Sequence, residues 1–276
     1  MTETTRRRHP VRALALLLLA ALAVYFVTGY VRSLFLESSH VALTLQSRSG
    51  QTGAVRIAQV SDLHRAVYGE DNSELVALIA SKYPNLIVAT GDMIDVRTEG
   101  IDECVDLFAR LRKIAPVVYS LGNHEVERPD LRALVEALED VGVLVVDGNV
   151  VTVEAGGLSL RIGGLYRAEY LPQLEDDGAV DILLCHFPDK LRIFAENGVP
   201  LTFCGHTHGG QFRIPLLDIA LYAPGQGWFP EYTTGLYEQD GSYMIVSRGL
   251  GNSSFPFRIH NPPEVVVADI TYVSAL

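Results

Sequence analysis

Seven residues able to hold a cation stand directly after short apolar runs of this chain: Asp62 and His64, Asp92, Asn123, His186, and His206 with His208. The runs that precede them, 55–60, 86–89, 117–121, 182–185 and 201–204, read as strands by length and by the polar or glycine residues that bound them. In open α/β sheets, functional groups gather beyond the carboxyl ends of strands, so five such endings can converge on one place. Asp62/His64 and His206/His208 stand two residues apart, a spacing that in extended backbone puts both side chains on one side and suits chelation. Glycines precede Asp92, Asn123 and His206, where backbone must come close to whatever the side chains hold. An isolated Asp-x-His, or one histidine after a strand, is commonly a hydrogen-bonded polar group and nothing more. Five such endings in succession are harder to assign to chance.

In that order, Asp62-x-His64, Gly91-Asp92-x-x-Asp95, Gly122-Asn123-His124-Glu125, His186 and Gly205-His206-x-His208 resemble the motifs of the calcineurin-like metallophosphoesterase family. The longer stretches GHTHGGQ at 205–211 and SRGLGN at 247–252, with Pro263-Glu264, resemble its bacterial transmembrane-anchored branch, and the likeness extends over residues 40–272. It implies an α/β fold, a two-sheet sandwich flanked by helices. It also implies two divalent metal ions: Asp62, His64 and His208 on the first, Asp92 bridging, and Asn123, His186 and His206 on the second. Oxygen and imidazole ligands without thiolate suit Mn, Fe or Zn. Two such ions, about 3.5–4 Å apart, share a hydroxide and clamp the attacking and leaving oxygens of an in-line displacement. They also make a cationic pocket for phosphate in an acidic protein. The resemblance puts His124 opposite the phosphoryl group as the catalytic residue, stabilising charge or protonating the leaving oxygen. Asp95 would orient a ligand or His124.

The elements needed to position these groups are visible in the apolar pattern. Further strand-like runs fall at 41–45, 143–146, 150–153, 158–162, 243–246 and 265–270, and helical periodicity at 73–82, 102–113, 130–141 and 188–197. Asp130 marks a helix start. The runs at 150–153 and 158–162, joined across Gly156-Gly157, form a hairpin. Strands and helices alternate in the first half and strands dominate the second, which predicts an α/β domain with a mixed sheet or two packed sheets.

The N-terminus is of a different kind. Residues 13–31 carry no charge and would make a helix about 28 Å long, near the hydrocarbon thickness of a bilayer. They read as an uncleaved transmembrane anchor; a cleaved signal peptide and a buried helix are the alternatives. Division of the chain follows: a basic tail at 1–12, the anchor at 13–31, a juxtamembrane segment at 32–40 and the phosphoesterase domain at 41–276. Arg6, Arg7, Arg8 and Arg12 precede the span and only Arg32 closely follows it. The positive-inside rule therefore predicts a cytoplasmic N-terminus and a catalytic domain outside the cytoplasm. Residues 1–32 hold five arginines and Glu3; removing them from 22 basic and 33 acidic residues leaves 17 and 32, a net charge of −15. Such a surface repels nucleic acid and restricts the substrate to a small anion met by local cations. The three cysteines, Cys104, Cys185 and Cys204, lack disulfide or zinc spacing and read as buried thiols.

Several residues keep two readings. Glu125 orients a neighbour or is a solvated loop acid. Arg258, after Phe255-Pro256-Phe257, meets a substrate phosphate or forms a salt bridge. His9, His40 and His260 match no ligand position. The apolar connection 215–223, with Trp228 and Phe229, packs on the core or forms an acyl-chain or membrane-facing patch. The expected activity is hydrolysis of a phosphodiester or pyrophosphate, with a lipid-linked substrate foremost because the resemblance includes anchored enzymes acting on UDP-2,3-diacylglucosamine. An envelope phospholipid, a general envelope phosphomonoesterase or phosphodiesterase, and a non-catalytic metal-binding scaffold are the alternatives.

Overall fold

The computed structural model describes residues 10–174, 180–217, 219–252 and 255–274; Arg6, Arg7, Arg8 and His9 lie outside them. In chain order the strands are β1 (Glu37–Ser47), β2 (Gly53–Val60), β3 (Leu86–Thr90), β4 (Val117–Ser120), β5 (Leu144–Val146), β6 (Val150–Ala155), β7 (Leu158–Leu165), β8 (Ile182–Cys185) and β9 (Leu201–Cys204). Four two-residue strands follow, β10 (Arg213–Ile214), β11 (Ile219–Ala220), β12 (Tyr222–Ala223) and β13 (Gly227–Trp228), then β14 (Gly235–Gln239), β15 (Ser242–Val246) and β16 (Glu264–Ser274). One six-stranded sheet runs β1-β16-β2-β3-β4-β5 and the other β14-β15-β9-β8-β7-β6. The helices are α1 (Pro10–Arg32), α2 (Ser73–Ala80), α3 (Asp102–Leu111), α4 (Asn123–Val126), α5 (Leu131–Asp140) and α6 (Leu191–Glu196). This is the two-sheet α/β sandwich that the resemblance implies, and one of the two arrangements that the alternation of strands and helices allows.

The centres of both sheets are parallel: β2, β3, β4 and β5 in one, β7, β8 and β9 in the other. Strands covered on both faces need apolar residues at every position, which is why these runs show no alternation. Period two still sorts them. Ile57, Leu86, Val88 and Val118 face Ile162, Leu184, Phe203 and Ile245 between the sheets. Their neighbours Ala58, Ile87 and Ala89 turn outward, onto Leu75, Ile79, Phe108, Leu134 and Leu138 of the flanking helices. On the far side, Leu183, Met244 and Val246 pack on Leu191 and Phe194 of α6. Cys104, Cys185 and Cys204 are buried free thiols, as expected.

Two features differ from the apolar pattern. β1 begins at Glu37, inside the segment 32–40, because pairing with β16 extends it beyond its apolar run. β14 has no apolar signature of its own, yet Asp240-Gly241 joins it to β15 in register Gln239↔Ser242. Both turn residues have positive φ, 51° and 80°, the geometry of a two-residue hairpin loop.

Phe203 is buried between the sheets. Phe203→Ala should therefore cost about 3–5 kcal/mol, whereas Tyr83→Ala, at an exposed position, should stay within about 0.5 kcal/mol. Denaturant unfolding in detergent would measure both, and equal stabilities would refute the packing described.

Candidate metal centre

All seven expected ligands leave the carboxyl ends of parallel strands: Asp62 and His64 after β2, Asp92 after β3, Asn123 after β4, His186 after β8, His206 and His208 after β9. The chain brings six of them into close groups. Asp62, His64 and His208 form one group, and Asp92, His186 and His206 another, each with candidate ligand atoms within 4.8 Å of one another. In the first, His64 Nε2 and His208 Nε2 are 3.3 Å apart, and His208 Nε2 lies 3.7 Å from Asp62 Oδ1. In the second, His186 Nε2 lies 3.2 Å from both His206 Nδ1 and Asp92 Oδ2. Asp92 Oδ2 also comes within 3.8 Å of His64 Nε2, so this one oxygen reaches both groups.

The spacing argument requires a correction. Asp62 and His64 do not sit in extended backbone: their φ values are 53° and 52°, and Asp92, His206 and His208 have 53°, 72° and 48°. Side chains converge here because the chain turns through left-handed conformations that cost non-glycine residues energy and that cluster at functional sites. Gly122 and Gly205 are required for a second reason. A Cβ on Gly122 would collide with the Asp92 carboxylate, and one on Gly205 with the Ser61 hydroxyl and Asp62.

The donor set suits a cation. His186 directs Nδ1 at the Thr90 carbonyl, 2.7 Å away, and His208 directs Nδ1 at the Gly251 carbonyl, 3.1 Å away, so each turns Nε2 towards its group. Burial pushes His64 down to about 4 and His206 down to about 3, and lowers His208 as well, so these imidazoles are neutral near pH 7. Burial pushes Asp62 up to about 6. Burial acts the same way on Asp92, but His186, His64 and His124 outweigh it and hold that carboxyl well below the usual range. Asn123 Oδ1 is a buried oxygen without a hydrogen-bond partner, which a ligated cation would satisfy.

His124 borders this cluster. The Val96 N–H donates to its Nδ1 at 3.1 Å, which assigns the ring proton to Nε2, and Nε2 is 4.0 Å from Asp92 Oδ2. Asp95 is buried, 3.8 Å from His64 Nδ1 and from His124 Nδ1. Its closest partner is Arg97, whose Nε and Nη2 donate to it at 2.8 and 2.7 Å and whose charge lowers its pKa. His64, Asp95 and His124 form a third close group, in which the Asp95 carboxylate is already engaged by the Arg97 bidentate pair.

Glu125 is no solvated loop acid. Completely buried, it accepts the N–H groups of Asp92 at 2.8 Å, Met93 at 2.7 Å, Ile94 at 3.3 Å and Gly122 at 2.8 Å, and the Tyr119 hydroxyl at 2.6 Å. Arg258 meets neither expectation. It is buried behind His208, with Nη1 donating to the Arg248 carbonyl at 2.7 Å, Nε to Asn252 Oδ1 at 3.0 Å and Nη2 to the Gly251 carbonyl. The guanidinium thus supports the loop that orients His208.

Sequence reasoning did not single out Arg128 or Arg167. Arg128 is buried and binds the carbonyls of Asp95, Thr98 and Gly100, fixing the loop after β3. Arg167, just past the carboxyl end of β7, lies over the Phe187 ring at 4.3 Å, and that ring stacks on His206 at 4.0 Å. Its position after a strand was the available signal.

Residues 55–210 match the profile of a family described as calcineurin-like phosphoesterase. An uncharacterized metallophosphoesterase of Aquifex aeolicus is 32% identical over 233 residues, covering 78% of this chain and 85% of its own. The uncharacterized metallophosphoesterase YkuE of Bacillus subtilis is 29% identical over 225 residues, 77% of each chain. The phosphodiesterase YaeI of Escherichia coli is 26% identical over 225 residues, 78% of this chain and 82% of its own. With Asp, Asn and His side chains at the strand ends, the Asp and His of three loops held in left-handed backbone, and a matching profile across more than half its length, the chain belongs to the calcineurin-like phosphoesterases and is a metal-dependent phosphoric ester hydrolase.

Proposed function

We propose that the protein hydrolyses a phosphodiester or pyrophosphate bond, in a lipid-linked substrate, with two divalent ions held by Asp62, His64, Asp92, Asn123, His186, His206 and His208. The observation that carries this reading is the position of Asp92 Oδ2, 3.2 Å from His186 Nε2 and 3.8 Å from His64 Nε2, one imidazole of each group. A carboxylate so placed would serve two cations, one held by His64, His208 and Asp62 and the other by His186, His206 and Asn123. Bound ions, Mn, Fe or Zn by this donor set, would supply an activated water and positive charge against the phosphoryl oxygens.

The rest of the work falls to the chain. His124 carries its proton on Nε2, towards the site, and delivers it to the leaving oxygen or stabilises charge there. The Val96 N–H holds the other side of that ring. Arg167 adds a cation at the rim beside His206.

The lipid-linked substrate rests on α1. Arg12–Arg32 is long and apolar enough to cross a membrane, with mean hydropathy 2.3, and we read it as an uncleaved single span. The arginine distribution favours a cytoplasmic N-terminus and an outward domain, whereas nucleotide-linked lipid precursors such as UDP-2,3-diacylglucosamine lie in the cytoplasm. An envelope phospholipid or other lipid phosphodiester therefore fits better, in line with a relative named as a phosphodiesterase. A non-catalytic scaffold is disfavoured because scaffolds lose ligands freely, whereas here the residue types of all seven positions are kept and six of them lie in two close groups.

Asp92→Ala should reduce bound metal and lower hydrolysis of bis-phenyl phosphate by about a thousandfold or more. Two ions per chain and near-normal turnover in that variant would refute the binuclear assignment. His124→Ala should keep its metal and lose about 10²- to 10⁴-fold in turnover; loss of metal with activity would instead make His124 a ligand. Orientation is testable by fusing a phosphatase reporter, active only outside the cytoplasm, to the C-terminus. Activity is expected, and an inactive fusion of a stably expressed chain would place the domain in the cytoplasm and restore the nucleotide-linked substrate.

A further inference from the structure

α1 does not leave the domain at its end. Tyr25 hydroxyl donates to the Arg213 carbonyl at 2.8 Å, the His260 ring stacks on Tyr25 at 4.2 Å, and the His260 N–H donates to the Gly29 carbonyl at 3.1 Å. A Cβ on Gly29 would strike the His260 ring, so helix and domain touch closely. Further along, the Asn261 N–H donates to Ser33 Oγ at 3.0 Å. Tyr25 precedes Arg32 by seven residues, about 10 Å of helix rise. If α1 crosses a bilayer, whatever touches Tyr25 lies below the level of Arg32, within the interfacial layer.

What touches Tyr25 is the base of an apolar hairpin. From Arg213 the chain runs through β10 to Leu216 and Leu217, which are 97% and 64% exposed, returns along β11, and goes on to Trp228 and Phe229, 72% and 69% exposed. Phe212 contacts Phe255 and Phe257, Tyr222 contacts Phe255 and Trp228, and so one aromatic surface continues from the α1 contact to the hairpin. The next hairpin, β12–β13, comes back towards the metal centre: a Cβ on Gly225, in its turn, would lie 3.4 Å from His206 Nε2. Tryptophan and other aromatic rings favour the headgroup level of membranes, and an exposed apolar patch of this kind marks a contact surface.

We propose that residues 212–217 and 219–229, with Phe255 and Phe257, lie in the headgroup layer of the membrane that α1 crosses, so that the metal centre opens at the lipid surface. The occupant of the patch is a phospholipid bilayer. The inference rests on the reading of α1 as a span, and it accounts for the apolar connection without assigning it to the core. A lipid phosphodiester would reach His206 while its acyl chains stay among their neighbours.

Trp228 is the sole tryptophan of the chain and reports on this directly. The full-length protein would be reconstituted into phosphatidylcholine–phosphatidylglycerol liposomes. Its emission would be followed against lipids brominated on the acyl chains and against aqueous iodide, with alkaline carbonate extraction reporting on α1. Expected are a blue-shifted emission, strong quenching by brominated lipid and protection from iodide. Moving the probe by Trp228→Phe with Leu216→Trp should preserve that pattern. Trp228→Phe with Tyr83→Trp, exposed near the amino-terminal end of β3 and away from the metal centre, should reverse it. Iodide quenching of Trp228 in a chain that resists extraction would overturn the inference and leave the anchor standing. Protection from both quenchers would mean that protein, such as a second copy, covers the patch, and would overturn it too. Release of the whole chain by carbonate would remove the anchor and the inference together.

Discussion

Four backbone N–H groups and one phenol converge on the carboxylate of Glu125, and the geometry of the metal cluster depends on that convergence. Glu125 sits on α4, after β4, and three of its donors, Asp92, Met93 and Ile94, belong to the loop after β3. Burial alone would make this carboxylate costly and raises its pKa. Charge-assisted bonds from four amides offset that cost and in return fix two neighbouring loops to each other. Asp92 then receives the His124 N–H at 2.8 Å on Oδ1, which leaves Oδ2 free to face both histidine groups. A second carboxylate does the same between the sheets: Asp62 accepts the His206 N–H on both oxygens, at 3.1 and 3.0 Å, and the Ser61 hydroxyl at 2.6 Å. Each sheet supplies part of the cluster, and these two acids hold the parts in register.

The strain in the cluster follows from the same constraint. Five of the seven proposed ligands occupy left-handed backbone, a conformation that none of them would choose in a free peptide. Hydrogen bonds to neighbouring loops keep them there: the Asp62 N–H donates to Gly91 O and the His64 N–H to Asp92 O, both at 3.0 Å. The sandwich core beneath is rigid enough to support this, because β2, β3, β8 and β9 are buried on both faces.

How much of this was legible in the sequence depends on the range of the interaction. Polar residues after apolar runs located the cluster, because strand length and the carboxyl-end rule are local and general. Family resemblance supplied the roles, but the local geometry escaped it: the i, i+2 argument assumed extended chain where the structure turns left-handed. Glu125, Arg128 and Arg258 were ambiguous or overlooked because their partners are backbone groups contributed by other loops, and no spacing encodes those. β14 was missed for want of apolar residues, although Asp240-Gly241 carried a hairpin signal. His260, which matched no ligand position, proved to be the seat of α1.

Charge finally links the cluster to its substrate. Residues 33–276 are strongly acidic, and the cluster adds the buried carboxylates Asp62, Asp92, Asp95 and Glu125; burial holds the imidazoles His64, His206 and His208 neutral, while against that same burial the neighbouring Asp92 carboxylate raises His186 to about 9, one cation among four acids. Of the nearby guanidinium groups, Arg97 faces Asp95, and Arg258 and Arg128 face carbonyls, so none of these three is aimed at a phosphate. Arg167 alone would contribute about 4 kcal/mol or less against a phosphoryl oxygen at contact distance, even with partial burial. The protein's own groups therefore set up a site that rejects anions until cations enter it. Substrate binding and chemistry become conditional on the same event, occupation of the cluster by metal, and an acidic surface then guards against adventitious phosphates elsewhere on the molecule.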